Sequence, residues 1–138
     1  MREAVGGSLM LYLIIPIIIL FIIFMGFIMS YASAYRSANY IAMQFENYQG
    51  QVSRDMMKNT IKPTIKQKYA YVILKDASLS VCHIENGANG YVFRVSLPVA
   101  FDIPMFGTRN LMLVKVETKT ISNVPSSYLK LYPKCVWE

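Results

Sequence analysis

Residues 9–29 read LMLYLIIPIIILFIIFMGFIM, and residues 30–50 continue as SYASAYRSANYIAMQFENYQG. The first stretch has 21 residues and no charge, with Pro16 and Gly26 as its only helix breakers. At ~1.5 Å rise per residue a helix of that length covers about 30 Å, the hydrocarbon thickness of a bilayer. The apolar core of a secretory signal peptide is shorter, ~7–15 residues, and follows net positive charge. Here Arg2 is offset by Glu3, although Ala32-Ser33-Ala34 does supply a small-x-small cleavage pattern. Length and charge favour a retained transmembrane helix.

The second stretch contains no proline, and its first glycine is Gly50. Ile41, Phe45, Tyr48 and Val52 follow the i, i+4, i+7, i+11 spacing of one helical face, while Arg36, Asn39, Glu46 and Asn47 fall largely elsewhere. The anchor is therefore expected to continue without a break as an amphipathic helix, a single element over residues 1–49. The first half is apolar all round and needs lipid or other helices. The second half has one apolar stripe and needs a partner surface within its own domain. A simple tether would call for a flexible linker instead.

Residues 50–138 are enough for one small domain. Gly50 to Pro63 reads as a polar connector with a short helix near residues 53–59, ended by Pro63. Strand signals follow. YAYVIL at 69–74 is aromatic and β-branched. ASLSVCHI at 77–84 alternates, with Leu79 and Val81 on one face. ENGANG at 85–90 is a turn. YVFRVSLPVAF at 91–101 places Tyr91, Phe93, Val95 and Leu97 together. A longer loop is expected over 102–110. LMLVKVETKTI at 111–121 places Met112, Val114, Val116 and Thr118 opposite Lys115, Glu117 and Lys119. About four consecutive strands with short turns make an antiparallel sheet. The fold class is therefore α+β: a long N-terminal helix, transmembrane in its first half and amphipathic in its second, packed on a small antiparallel sheet.

Chemistry-bearing constellations are sparse. His83 is the one histidine, and it adjoins Cys82. Neighbours on a strand point to opposite faces, so the two would diverge, and a hydrogen-bonded or solvent-facing strand histidine is the better account. Two cysteines and one histidine lack the spacing of a zinc site. No phosphate-binding glycine motif occurs, and the acidic residues show no acid–base pairing. The reading is of a protein that is not an enzyme and has no catalytic, metal or cofactor-binding residue. The basic residues Arg54, Lys58, Lys62, Lys66 and Lys68, within a net charge of +6, read as a solvated face or as attraction to anionic lipid or wall polymers, with no nucleic-acid partner.

Cys82 and Cys135 are the only two cysteines. Far apart and with no CxxC, they read as a disulfide or as two buried thiols. A disulfide belongs outside the cytoplasm and would pin the tail YPKCVWE. The positive-inside rule would put the basic domain in the cytoplasm, but it governs short loops and not whole domains. The expected orientation is N-terminus cytoplasmic and domain extracytoplasmic, with Cys82 bonded to Cys135.

Residues 2–42, REAVGGSLMLYLIIPIIILFIIFMGFIMSYASAYRSANYIA, and residues 95–121, VSLPVAFDIPMFGTRNLMLVKVETKTI, together resemble pilin-like proteins of the type IV filament superfamily. More narrowly they look like the TadE/TadF-like pseudopilins of Tad-type pilus systems. Such pilins carry a glutamate at the fifth position after a cleaved glycine. Gly6-Gly7 precedes the run here, but no glutamate follows within five residues, which reads as a non-cleaved minor component. The resemblance implies a minor structural or assembly subunit of a Tad-type pilus or related secretion machine. Its partners would be the lipid bilayer and other pilin-like subunits or pilus assembly proteins, in a homo- or hetero-oligomer. The helix would then also be a packing surface. Pro16 would loosen it, and Gly26, Ser30, Ser33, Ala34, Ser37 and Ala38 would allow neighbouring helices to approach closely. The rival reading is a membrane-tethered extracytoplasmic module that binds a wall polymer or small ligand. A continuous helix favours the first reading and a break near residues 32–38 favours the second.

Overall fold

The computed structural model describes residues 2–68, 79–87, 90–102 and 109–133. The strand expected at 69–74 and Cys135 lie outside these residues. The protein is α+β. Its first element, α1 (Arg2–Asn47), is one helix of 46 residues that runs through Pro16, about 69 Å at ~1.5 Å per residue.

The end of α1 is a Schellman turn. Gly50 N–H donates to the Phe45 carbonyl at 2.8 Å and Gln49 N–H to the Glu46 carbonyl at 3.1 Å, which satisfies two carbonyls the helix end leaves over. Gln49 holds the left-handed conformation this motif needs, at φ 51°, and Gly50 follows at φ 76°. A Cβ on Gly50 would stand 2.8 Å from Phe93 Cε2 and 3.0 Å from Val124 Cγ2, so a glycine lets the chain reverse against the core.

After the reversal Ser53 caps a second helical stretch, its hydroxyl accepting from Met56 N–H at 3.2 Å. The stretch comprises α2 (Arg54–Met56), a π-helical turn (Met57–Ile61) and α3 (Lys62–Lys68). Pro63 was expected to end this helix and lies inside it. The wider π register, in which Lys62 N–H donates to the Met57 carbonyl, immediately precedes the proline. It supplies the slack that a residue without an N–H requires.

The sheet comprises β1 (Ser80–Glu85), β2 (Gly90–Asp102), β3 (Arg109–Glu117) and β4 (Ile121–Ser122), all paired antiparallel to β2 or by it. The order is β1-β2-β3, with β4 on the first residues of β2. Two boundaries differ from expectation. Asp102 and Arg109 are paired in register, so the β2–β3 ribbon extends into the segment read as a loop. The strand read over 111–121 is divided: Arg94 faces Glu117 and Tyr91 faces Ile121, so residues 118–120 oppose only 92–93. This is a bulge, and the Thr118 hydroxyl accepts the Phe93 N–H there at 3.0 Å.

One apolar core joins helix and sheet. Ala34, Ala38, Ile41, Ala42 and Phe45 of α1 are buried with Phe93, Val95, Leu97, Val114, Val116, Ile121 and Val124. The alternation of β2 and β3 produces this: their core-facing residues are sequence-alternate, while Arg94 and Glu117 pair across the other face. α1 packs on β2 and β3. Two strands are only ~5 Å apart, whereas Ala34 to Phe45 covers about 16 Å of helix. The helix must therefore run along the ribbon and not across it.

A short helix, α4 (Ser126–Leu129), brings Tyr132 back under the core. Its ring meets Phe45 edge-on at 5.0 Å and Phe93 at 6.1 Å. Its hydroxyl donates to the Val52 carbonyl at 3.0 Å.

Candidate functional site

The surface that most needs explanation is the first part of α1. From Val5 to Met29 nearly all of its large apolar side chains are exposed, Ile23 and Phe27 being half-buried, and no residue in the most apolar part of α1 is buried. It is the one helix among the described residues long and apolar enough to cross a membrane. Tyr12 and Tyr31, both exposed, stand 19 residues apart, or about 29 Å along the helix. That matches the separation of the two interfaces at which tyrosine concentrates.

The small residues divide into two groups. Gly26 faces open space, and Ser30 and Ser33 are half-buried. Ala34, Ser37 and Ala38, expected to admit a neighbouring helix, are fully buried within the chain itself. Their small size brings α1 close to its own ribbon. Ser37 is satisfied locally, its hydroxyl donating to the Ser33 carbonyl at 2.9 Å. Of these small residues, Gly26, Ser30 and Ser33 are left with surface that the chain's own ribbon does not cover.

At the junction, Ile41, Phe45 and Val52 are fully buried, with the Phe45 ring 4.8 Å from that of Phe93. Tyr48 departs from the expected stripe and is 46% exposed. Tyr48 N–H still donates to the Gln44 carbonyl at 3.0 Å, but the chain leaves the helix at Gln49, and Val52 reaches the core only because the chain has reversed at Gly50. Glu46, read as lying on the polar side, accepts the Lys119 backbone N–H at 2.8 Å. It ties the last turn of α1 to the bulge. No sequence periodicity announces this contact, because it depends on a bulge 73 residues away.

His83 and Cys82 do diverge. His83 faces Phe93 in register, stacks edge-on against Tyr91 at 5.9 Å and donates from Nδ1 to the Tyr132 carbonyl. Cys82 is buried beside Arg94, its Sγ 3.7 Å from the Arg94 carbonyl oxygen, and it carries no free thiol. Burial pushes the Tyr132 phenol up to about 12, with the Arg54 charge acting weakly in the opposite sense. At neutral pH Tyr132 is therefore a neutral donor, and its role is structural.

Hollows open on the domain among the described residues. One, of about 470 Å³, is lined by polar groups including Glu46, Gln49, Lys119, Thr120 and Ser122. Another, of about 250 Å³, lies between Met57, Lys62, Val81 and Tyr132. Neither pairs a nucleophile with a base, and no group of three histidine, cysteine or acidic side chains converges among the described residues. The chain matches no protein-family model, no curated protein and no solved structure.

Proposed function

We propose that this protein is a single-pass, pilin-like membrane subunit: a minor structural or assembly component of a Tad-type pilus or a related secretion machine. The observation that carries the reading is the continuity of α1. Its exposed apolar part and the stripe buried against the sheet are one helix, Arg2–Asn47, with no break at residues 32–38. A spanning helix rigidly built into its domain transmits position and force between membrane and domain. A ligand-binding module on a tether has no use for that rigidity, and its sheet face is here occupied by α1. In this proposal the N-terminus is cytoplasmic and the domain extracytoplasmic, and Cys82 is bonded to Cys135, the only other cysteine in the chain. The protein acts without catalysis or cofactor, and its partners are the bilayer and other pilin-like or assembly subunits.

In-membrane cross-linking tests the assembly role. A photo-cross-linking residue at Gly26 or Ser30 in the full-length protein should trap discrete adducts with other helical subunits in intact cells. The same residue at exposed Lys58, on the helical stretch that follows the chain reversal, should not trap them. Adducts to lipid alone from both helix positions would favour the tethered module, for which surface-dependent capture of a wall polymer is the corresponding test.

A further inference from the structure

The direction of the β2–β3 ribbon relative to α1 leads beyond an anchor with a domain attached. Phe45 stacks on Phe93, and Glu46 holds the backbone of Lys119. These contacts fix the C-terminal end of α1 at the beginning of β2 and the end of β3. Only three residues of β2 precede Phe93, and nine follow it. The buried stripe that leads back from Phe45 to Ala34 must therefore lie along the later part of β2. The ribbon runs down α1 towards the apolar run.

Its reach follows from the two rises. Val99 is six residues beyond Phe93 and pairs with Met112, so this pair lies ~20 Å along the ribbon at ~3.3 Å per residue. The same distance is ~13 residues of helix, back from Phe45 to about Ala32, or to about Tyr35 if helix and ribbon cross obliquely. The ribbon continues for three more pairs to Asp102 and Arg109, about 10 Å further, abreast of the end of the run at Met29.

Met112 is 45% exposed although it lies on the core-facing side, and Leu113 on the other face is 57% exposed. Among the strand residues whose side chains are described, these two are the exposed large apolar ones. Beside them α1 presents exposed Tyr31, Tyr35 and Arg36. Tyrosines favour the headgroup layer, and arginine is drawn to anionic headgroups. An apolar pair on the sheet, a tyrosine pair and a cation thus share one level, and that level is where the apolar run meets water.

We propose that the far end of the β2–β3 ribbon, through Met112 and Leu113, is a second membrane contact that lays the folded domain against the headgroup layer. The inference rests on α1 crossing the bilayer. It adds that the domain is held at a fixed tilt, with its sheet end on the lipid and the α1–β4 junction pointing away.

Methyl NMR of the full chain tests both statements separately. The protein is labelled at methionine methyls and placed, one copy per disc, in phosphatidylcholine nanodiscs doped with 5-doxyl lipid. Met25 and Met29 should be broadened by the lipid radical, reporting the anchor. Met112 should be broadened severalfold more than Met56, which is half-buried on the helical stretch that follows the reversal at Gly50. Leu113→Glu should relieve the broadening of Met112 and leave Met25 unchanged, with the Met57 shift showing that the core is intact. If Met25 and Met29 are broadened while Met112 behaves like Met56, the second contact is overturned and the anchor stands. If Met25 and Met29 are also unaffected, the anchor itself fails and the contact with it.

Discussion

The Glu46 carboxylate accepts the backbone N–H of Lys119 at 2.8 Å, so the last turn of the long helix is fastened to the bulge between β3 and β4. A bulge leaves a backbone donor without a ladder partner, and this carboxylate meets one. Such a bond, half-exposed, contributes about 0.5–1.5 kcal/mol. Glu46→Ala should lower the unfolding free energy of the reconstituted protein by that amount and its denaturation midpoint with it, and Glu46→Gln should recover part of the loss. An unchanged midpoint for Glu46→Ala would mean that the contact contributes nothing.

Phe45 fills the space between Phe93 and Tyr132, and Tyr48, one turn on, does not enter the core. Truncating a buried phenylalanine costs about 3–5 kcal/mol, a large share of the ~5–15 kcal/mol that stabilises a domain. Phe45→Ala should therefore lower the melting temperature strongly and Tyr48→Ala only slightly. Equal effects would contradict the placement of the stripe.

Much of this architecture is legible in the sequence because it rests on periodicity. The uncharged run, the burial of Ile41 and Phe45, and the alternation around Phe93, Val95 and Val114 all follow from residue spacing. What is not legible depends on contacts remote in sequence or on backbone details. Tyr48 fits a helical repeat and still bonds back to Gln44, but the chain turns away in the left-handed conformation at Gln49, immediately after it. Pro63 carries the usual sign of a helix end, and a π turn admits it. Ala34, Ser37 and Ala38 are small for either a neighbouring helix or the chain's own ribbon, and composition does not distinguish the two. Tyr132 sits in a tail that looks frayed, and only the fold brings Val52 and His83 to it.

The helix end offers a local test. Gln49 occupies the left-handed position of the Schellman turn, where a side chain other than glycine costs about 1 kcal/mol. Gln49→Gly should raise stability by about that amount, less any cost from added unfolded-state freedom. Gly50→Ala should lower it, because its Cβ would press on Phe93 and Val124. Thermal unfolding of the two variants should move in opposite directions, and a stabilising Gly50→Ala would refute the tight packing of the turn.

Tyr132 gives the domain an alkaline limit. Its pKa is raised from 10.0 to about 12, chiefly by burial. Since the folded state holds this proton more tightly than the unfolded state, its contribution is complete below pH 10 and is lost as pH rises towards 12. The loss is about 1–3 kcal/mol. Denaturation midpoints should fall over that window, and Tyr132→Phe should flatten the fall while lowering stability at neutral pH through the lost bond to Val52. A pH profile identical for both proteins would show that Tyr132 is not the titrating group.

The central claim is that a single unbroken helix passes from the apolar segment into the core of the domain. The most direct measurement is the distance between spin labels carried by unnatural amino acids at Leu13 and Met43, both exposed on α1, in the full-length protein in nanodiscs. Thirty residues of continuous helix give a backbone separation of about 45 Å. The account predicts a single narrow distribution near that value. A broad distribution centred at shorter distances would mean that the helix breaks between anchor and domain, and would contradict it.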